Sequence, residues 1–296
     1  MKIETIKTSA MLCDPETGVC EIPEHPAAVK PIRITYFTDP ICSTCWGVEP
    51  QLRKLKLEYG DYFDIEYFMG GLLPSWEIYN SGGISKASDV APHWDEVSAH
   101  YEMPIDGDVW LEDPLPSSYP PSVAFKAAQL QGEVLALNFL RNIREKVFLG
   151  KKNITKWEHL AQAAQETGLD VAQFKSDYEG RAQDLFQADL IFARQMGVRG
   201  FPTFFFTDAE LNRLTVYGFR PYDLFEQTLL KLYPQANKKA IDPTQVFQYY
   251  PSLTTKEFAL LTERDFQAAE LYLETIFSEG ALQKLSTKNG NLWRKI

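Results

Sequence analysis

Two cysteines, two residues apart in DPICSTCWGVEP (39–50), are the residues of this chain best suited to do chemistry. A Cys-X-X-Cys pair has three uses: half of a four-ligand metal site, a structural disulfide, or a dithiol that exchanges disulfides. A zinc ribbon needs a second such pair, and the other cysteines, Cys13 and Cys20, are separated by six residues in CDPETGVCEIPEHP (13–26), so no metal is assigned. The pair follows the β-branched and aromatic run PIRITYF (31–37), and CWGVEPQLRKLKLEYG then changes to helical spacing with Trp46, Leu52, Leu55 and Tyr59 on one side. A strand therefore hands over to a helix at the cysteines. The attacking species is a thiolate, and the unpaired N–H groups of a helix start lower a thiol below its ordinary value of about 8.5. Cys42 is read as that nucleophile, and Cys45, one turn on, as the buried thiol that resolves the mixed disulfide.

The rest of the chain bounds this chemistry. With 40 acidic against 30 basic side chains the formal charge is −10, which repels a phosphate backbone or an anionic membrane surface and excludes nucleic acid as the main partner. No segment approaches the roughly 18 unbroken apolar residues of a membrane span, and MKIETIKTSAMLCDPETGVC lacks the apolar stretch of a secretory signal. The chain is read as cytoplasmic, a compartment that keeps most thiols reduced and so disfavours the structural disulfide.

FDIEYFMGGLL (63–73) reads as a second strand, and the stretch from Pro74 to Pro121 as mostly connection. From Pro121 to about 196 the pattern is helical, with four to six helices and a capping box at Thr155 and Glu158. VRGFPTFFF and RLTVYGF (from 198) return to strands, PYDLFEQTLLKLYP (221–234) is a helix, and after the linker QANKKAIDP come two short helices and a hairpin turning at NGN. This is an α/β domain with helices inserted in its middle. In GVRGFPTFFF, Pro202 stands at a strand start, where an X-Pro bond in a tight turn is a candidate cis peptide.

Strand, CxxC at a helix start, helical insertion and then VRGFPTFFF with VYGF together resemble a thioredoxin-fold protein of the DsbA superfamily, with Pro50 at the place of the helix-kinking proline. DPICSTCWG, GGLLPSW, YPPSVAFKAAQLQG and QADLIFARQMGVRGFPTFFF resemble the FrnE-like branch of dithiol-disulfide isomerases. The chain is also similar to the YjbH (SpxH) branch, whose members deliver a redox regulator to the ClpXP protease. The resemblance implies an arm over 1–30, a thioredoxin-like domain over 31–233 with a helical insertion at about 85–196, and a small winged-helix-like extension over 234–296. It also implies a cis Phe201–Pro202 bond packed against Cys42, with the backbone of Gly200 and Phe201 left free to pair with an extended substrate.

Two departures stand out. Thioredoxin and DsbA carry a buried carboxylate six residues before the first cysteine, where this chain has Tyr36, and the dipeptide Ser43–Thr44 matches neither. Asp39 either relays a proton through water or caps the helix. Trp46 and Phe201 are candidate walls of an apolar substrate groove. Cys13 and Cys20 form a second redox pair, bind a metal with His25, or are free thiols on an arm. The sequence thus points to a cytoplasmic thiol-disulfide oxidoreductase acting on protein or peptide disulfides without a cofactor. A redox-sensing protease adaptor is the alternative from another class. A kappa-like glutathione transferase or isomerase is the third, and glutathione is a candidate small-molecule partner.

Overall fold

The computed structural model describes residues 29–80 and 82–296; of the amino-terminal arm it describes only the backbone of β1 (Leu12–Cys13) and β2 (Cys20–Glu21), an antiparallel pair with Cys13 opposite Cys20. The Cys13 and Cys20 side chains, and the disulfide and metal readings that need them, lie outside the described residues.

The apolar run after Lys30 becomes β3 (Ile32–Thr38), which leads through Asp39 to α1 (Ser43–Gly47) and α2 (Glu49–Tyr59). The break between the two helices falls at Val48, with Pro50 in the first turn of α2, where a missing N–H costs nothing. β4 (Phe63–Met69) then runs parallel to β3. The stretch read as connection instead holds α3 (Ala87–Tyr101) and α4 (Val109–Glu112). Val90, Ala91, Trp94, Ser98 and Tyr101 are buried at helical spacing, a signal masked by Pro92 inside the helix.

Five more helices follow: α5 (Tyr119–Gln129), α6 (Glu133–Phe148), α7 (Trp157–Glu166), α8 (Val171–Glu179) and α9 (Arg181–Gln195). The capping box expected at the start of α7 does not form: Lys156 is the N-cap, and the Thr155 hydroxyl pairs with Asn153 at 2.6 Å. β5 (Thr203–Asp208), β6 (Arg213–Tyr217) and α10 (Tyr222–Leu232) complete the central layer.

The four-stranded sheet has the order β4-β3-β5-β6, with β5 antiparallel to both neighbours. Alternation along β3 and β5 sends side chains to opposite faces. Ile34, Tyr36, Phe204 and Phe206 pack with Leu52 and Leu55 of α2 and Phe225 and Leu229 of α10. Phe37 and Phe205 face the other way, toward Ala193 of α9. Full burial of each such side chain contributes on the order of 1.5–3 kcal/mol. This is an α/β thioredoxin fold.

Past α10 the chain forms α11 (Val246–Tyr249), β7 (Ser252–Thr254), α12 (Thr255–Leu261), α13 (Phe266–Ser278) and the hairpin β8 (Leu282–Thr287)–β9 (Gly290–Lys295). The order β7-β9-β8 encloses a separate core around Leu253, Phe258, Leu273 and Trp293, and α12 packs on α2. Among the described residues no helix is long and apolar enough to cross a membrane.

Candidate functional site

The cysteines lie at the junction of β3 and α1. Cys42 is itself the N-cap of α1, its Sγ accepting a hydrogen bond from the Cys45 N–H at 3.1 Å. Cys42 retains 4% exposure and Cys45 none. Only Cys42 opens onto a cavity of about 150 Å³, walled by Ile41, Leu72, Trp76, Trp94, Trp110 and Phe201 among others. Position therefore separates the accessible sulfur from the buried one. Both thiols are free, and among the described residues no cluster of three or more His, Cys, Asp or Glu could hold a metal ion.

The electrostatics depart from the expectation of a lowered Cys42. Burial raises the Cys42 thiol, and the hydrogen bond and negative charge of Cys45 raise it further, with the Asp39 carboxylate adding to the effect. Cys45 is desolvated too, but the Cys42 hydrogen bond, the charge of Arg144, the Thr38 hydroxyl and the Asp39 backbone bring it below its ordinary value. A five-residue α1 offers little macrodipole at Cys42, whereas Cys45 has a full cation nearby.

That cation belongs to a residue the sequence reading did not single out. Arg144 is 1% exposed, and its Nη2 donates to Thr38 Oγ1 at 2.7 Å and to the Asp39 carbonyl at 3.3 Å, while Nη1 pairs with Glu49. Thr38 Oγ1 also shares a hydrogen bond with the Tyr36 hydroxyl at 3.0 Å. Tyr36 stacks on Phe204 at 4.2 Å, and burial holds its phenol neutral. The signal for Arg144 was its place in the apolar stripe of α6, with Leu140, Ile143 and Val147 buried around it.

Asp39 is fully buried but does not cap α1. Its carboxylate accepts from Ile41 N at 3.0 Å, Leu72 N at 2.7 Å and Ser118 Oγ at 2.7 Å, tying the cysteine loop to the turn after β4 and to the start of α5. Burial dominates over these three bonds and raises its pKa to about 6. Trp46, expected in a groove wall, is instead a core residue. It is wholly buried, its Nε1 donates to the Pro104 carbonyl at 3.1 Å, and its ring stacks on Phe148 and lies under the Arg141 guanidinium. The first helical turn after Cys45 points inward, so the indole faces α6 and not the cavity.

The Phe201–Pro202 peptide bond is cis, and Phe201 shares the cavity wall with Cys42. The backbone here is not wholly free. The Gly200 carbonyl accepts from the Thr203 hydroxyl at 2.7 Å, and the Pro202 carbonyl from the Gly218 N–H at 2.9 Å. Gly70 was also missed: a Cβ there would overlap the Phe201 ring, so only glycine lets that ring sit against the end of β4.

With this geometry in view, the thioredoxin family profile matches residues 36–227. The ClpXP adapter protein SpxH of Halalkalibacterium halodurans is 34% identical over 296 residues, spanning 96% of this chain and 97% of that protein. The SpxH of Shouchella clausii is 36% identical over 292 residues, spanning 95% and 96%. The chain belongs to the SpxH family. Its thioredoxin half also superposes on the cytosolic disulfide reductase DsbM from Pseudomonas aeruginosa with a TM-score of 0.55 at 22% identity, covering 68% of this chain and 99% of that one. That likeness is one of fold, whereas the SpxH match runs on through the carboxy-terminal elements.

Those elements are joined to α2 and α6 by buried charge. Glu257 of α12 has no exposure, accepts two hydrogen bonds from Arg141 at 2.8 and 2.9 Å, and pairs with Arg53 Nε of α2 at 3.2 Å. Arg141 also meets Glu145 at 2.7 Å, and Glu145 in turn meets Arg294 of β9 at 2.7 Å.

Proposed function

We propose that this chain is a ClpXP adaptor of the SpxH type, with Cys42 and Cys45 as a redox-responsive dithiol rather than a pair built for high turnover. The observation that carries the reading is the match to SpxH relatives over nearly the full length of both partners, including the elements beyond residue 227 that the thioredoxin profile leaves out. Docking of those elements on α2 through Glu257 supports one body that carries both a client-binding extension and the dithiol. The reading places the protein in the cytoplasm, with protein partners. Its test is reconstituted ClpXP with the cognate redox regulator as client. The full chain should speed degradation at least several-fold, and no acceleration would refute the adaptor reading.

A second reading, dithiol-disulfide exchange, is favoured by Cys42 on the cavity wall beside the cis Phe201–Pro202 loop. In that cycle the Cys42 sulfur attacks one sulfur of a substrate disulfide and passes its proton to Cys45. A mixed disulfide forms and the other substrate sulfur leaves as thiolate. The departing thiolate takes that proton from Cys45, and the Cys45 thiolate then attacks the Cys42 sulfur, closing the internal disulfide and releasing the second substrate sulfur as a thiolate. Two electrons pass to the substrate, and dithiothreitol resets the pair. Insulin reduction above background, lost in Cys42→Ser, would support turnover. The described cavity wall holds no Lys or Arg to meet the carboxylates of glutathione, so oxidised glutathione should be a poor substrate.

A further inference from the structure

An indole has one hydrogen-bond donor and no acceptor, so a buried Trp N–H needs an acceptor brought to it. Trp46 Nε1 finds the Pro104 carbonyl at 3.1 Å, Trp76 Nε1 the Leu115 carbonyl at 2.9 Å and Trp293 Nε1 the Thr255 hydroxyl at 2.9 Å. Trp110 of α4 differs. It is 3% exposed, and among the described residues its buried Nε1 has no partner. Leaving such a donor unmet is costly and calls for an explanation.

Trp110 lines the cavity that opens at Cys42. Its ring meets that of Trp94 of α3 at 5.2 Å and that of Trp76 at 5.9 Å, each edge to face at 86°. With Phe201 of the cis-proline loop these rings form an aromatic box ending at the accessible sulfur. The described wall holds no Asp, Glu, Lys or Arg, so it suits an uncharged occupant. An apolar cavity of this size, about 150 Å³, accepts one benzene-sized ring. Residues 1–28 contain no Phe, Tyr or Trp, so that ring does not come from the chain's own amino-terminal arm.

We propose that this cavity is a specificity pocket for one tyrosine side chain of a partner polypeptide, seated beside the partner sulfur that Cys42 meets, with Trp110 Nε1 donating to the phenol oxygen. Tyrosine joins an uncharged aromatic ring to an oxygen acceptor. Phenylalanine would fill the walls but leave Trp110 unmet, and tryptophan is larger and brings only a second donor. His93, in the same wall, brings a ring nitrogen that can accept from the phenol O–H. The assignment rests on the dithiol-exchange reading above, in which Cys42 takes the partner sulfur, and is independent of ClpXP.

The test uses the reduced full chain and dipeptides in which a cysteine carrying a 2-pyridyl disulfide stands directly before or directly after Tyr or Phe. The Cys42 sulfur forms the mixed disulfide and displaces pyridine-2-thione, which takes up the thiol proton and whose absorbance gives the rate. In at least one of the two orders Tyr should react about tenfold faster than Phe, as expected for one hydrogen bond to an otherwise unmet buried donor. Trp110→Phe keeps an aromatic wall without the N–H, and should bring the Tyr rate down to the Phe rate while leaving the latter nearly unchanged. Equal Tyr and Phe rates in the wild type would overturn the proposal, as would a preference that survives in Trp110→Phe. If that variant does not fold, Ile84→Trp, which fills the cavity from its half-exposed rim, should erase the preference, and a preference intact there would overturn the proposal too. Free p-cresol that competes as tightly as the Tyr peptides bind would assign the pocket to a small phenol and overturn the partner tyrosine. Equal rates that are lost in Cys42→Ser remove the pocket and leave the exchange reading standing, whereas no reaction above that of Cys42→Ser with any peptide would remove both.

Discussion

Substituting Glu257 by Gln should loosen the carboxy-terminal elements from the thioredoxin half without disturbing their own core. The carboxylate receives both Nη groups of Arg141, the Nε of Arg53 and the Thr254 N–H at 2.7 Å, the last as part of a capping box at the start of α12. A glutamine keeps an oxygen for the cap but no charge. Removing one member of a buried ionic group costs about 3–5 kcal/mol. The low end applies here, because Arg141 retains Glu145 at 2.7 Å and Arg53 retains Glu49 at 3.9 Å. About 3 kcal/mol is roughly a hundredfold in the equilibrium between docked and undocked forms. Native-state proteolysis in the exposed segment 235–245 reads that equilibrium when opening and closing are fast, so cleavage there should rise about a hundredfold. Glu274→Gln, which breaks only the half-exposed pair with Lys284, is the control and should change little. Less than a threefold rise for Glu257→Gln would refute the claim that buried charge holds the halves together. Deleting residues 235–296 would be a harsher test of the adaptor reading, since it strands Arg53 and Arg141 at once.

Asp39 has a folded pKa of about 6 against 3.8 for the free side chain. A pKa raised by folding means stability that is fully present below about pH 4 and lost as pH climbs through about 6. Urea titrations of wild type relative to Asp39→Asn should therefore show a loss of about 3 kcal/mol across that window, and a flat difference would refute it. Gly70→Ala must displace the Phe201 ring. Overpacking of this kind costs about 1–3 kcal/mol, visible as a lower Tm together with a changed alkylation rate at Cys42. Trp46→Ala should cost about 3–5 kcal/mol in urea unfolding. Trp46→Phe, in contrast, should leave peptide binding unchanged, and weaker binding at unchanged stability would return the indole to the substrate groove.

By itself the sequence determined what depends on neighbours along the chain. The cysteine spacing, the proline that opens α2, the alternation in β3 and β5 and the hairpin turning at Lys288–Asn289 just before Gly290 each involve a few consecutive residues, and all could be read locally. So could the likeness to the thioredoxin fold and to SpxH, which rests on short motifs in a fixed order. The local reading failed where a non-local partner decided the outcome. Trp46 became core because α6 lies over the helix that begins at Ser43. Asp39 took donors from two distant loops instead of capping that helix. Arg144 meets Thr38 across 106 residues, and Glu257 meets Arg141 across 116. A buried guanidinium or carboxylate is stable only where a distant element brings it a partner, and tertiary packing alone decides that.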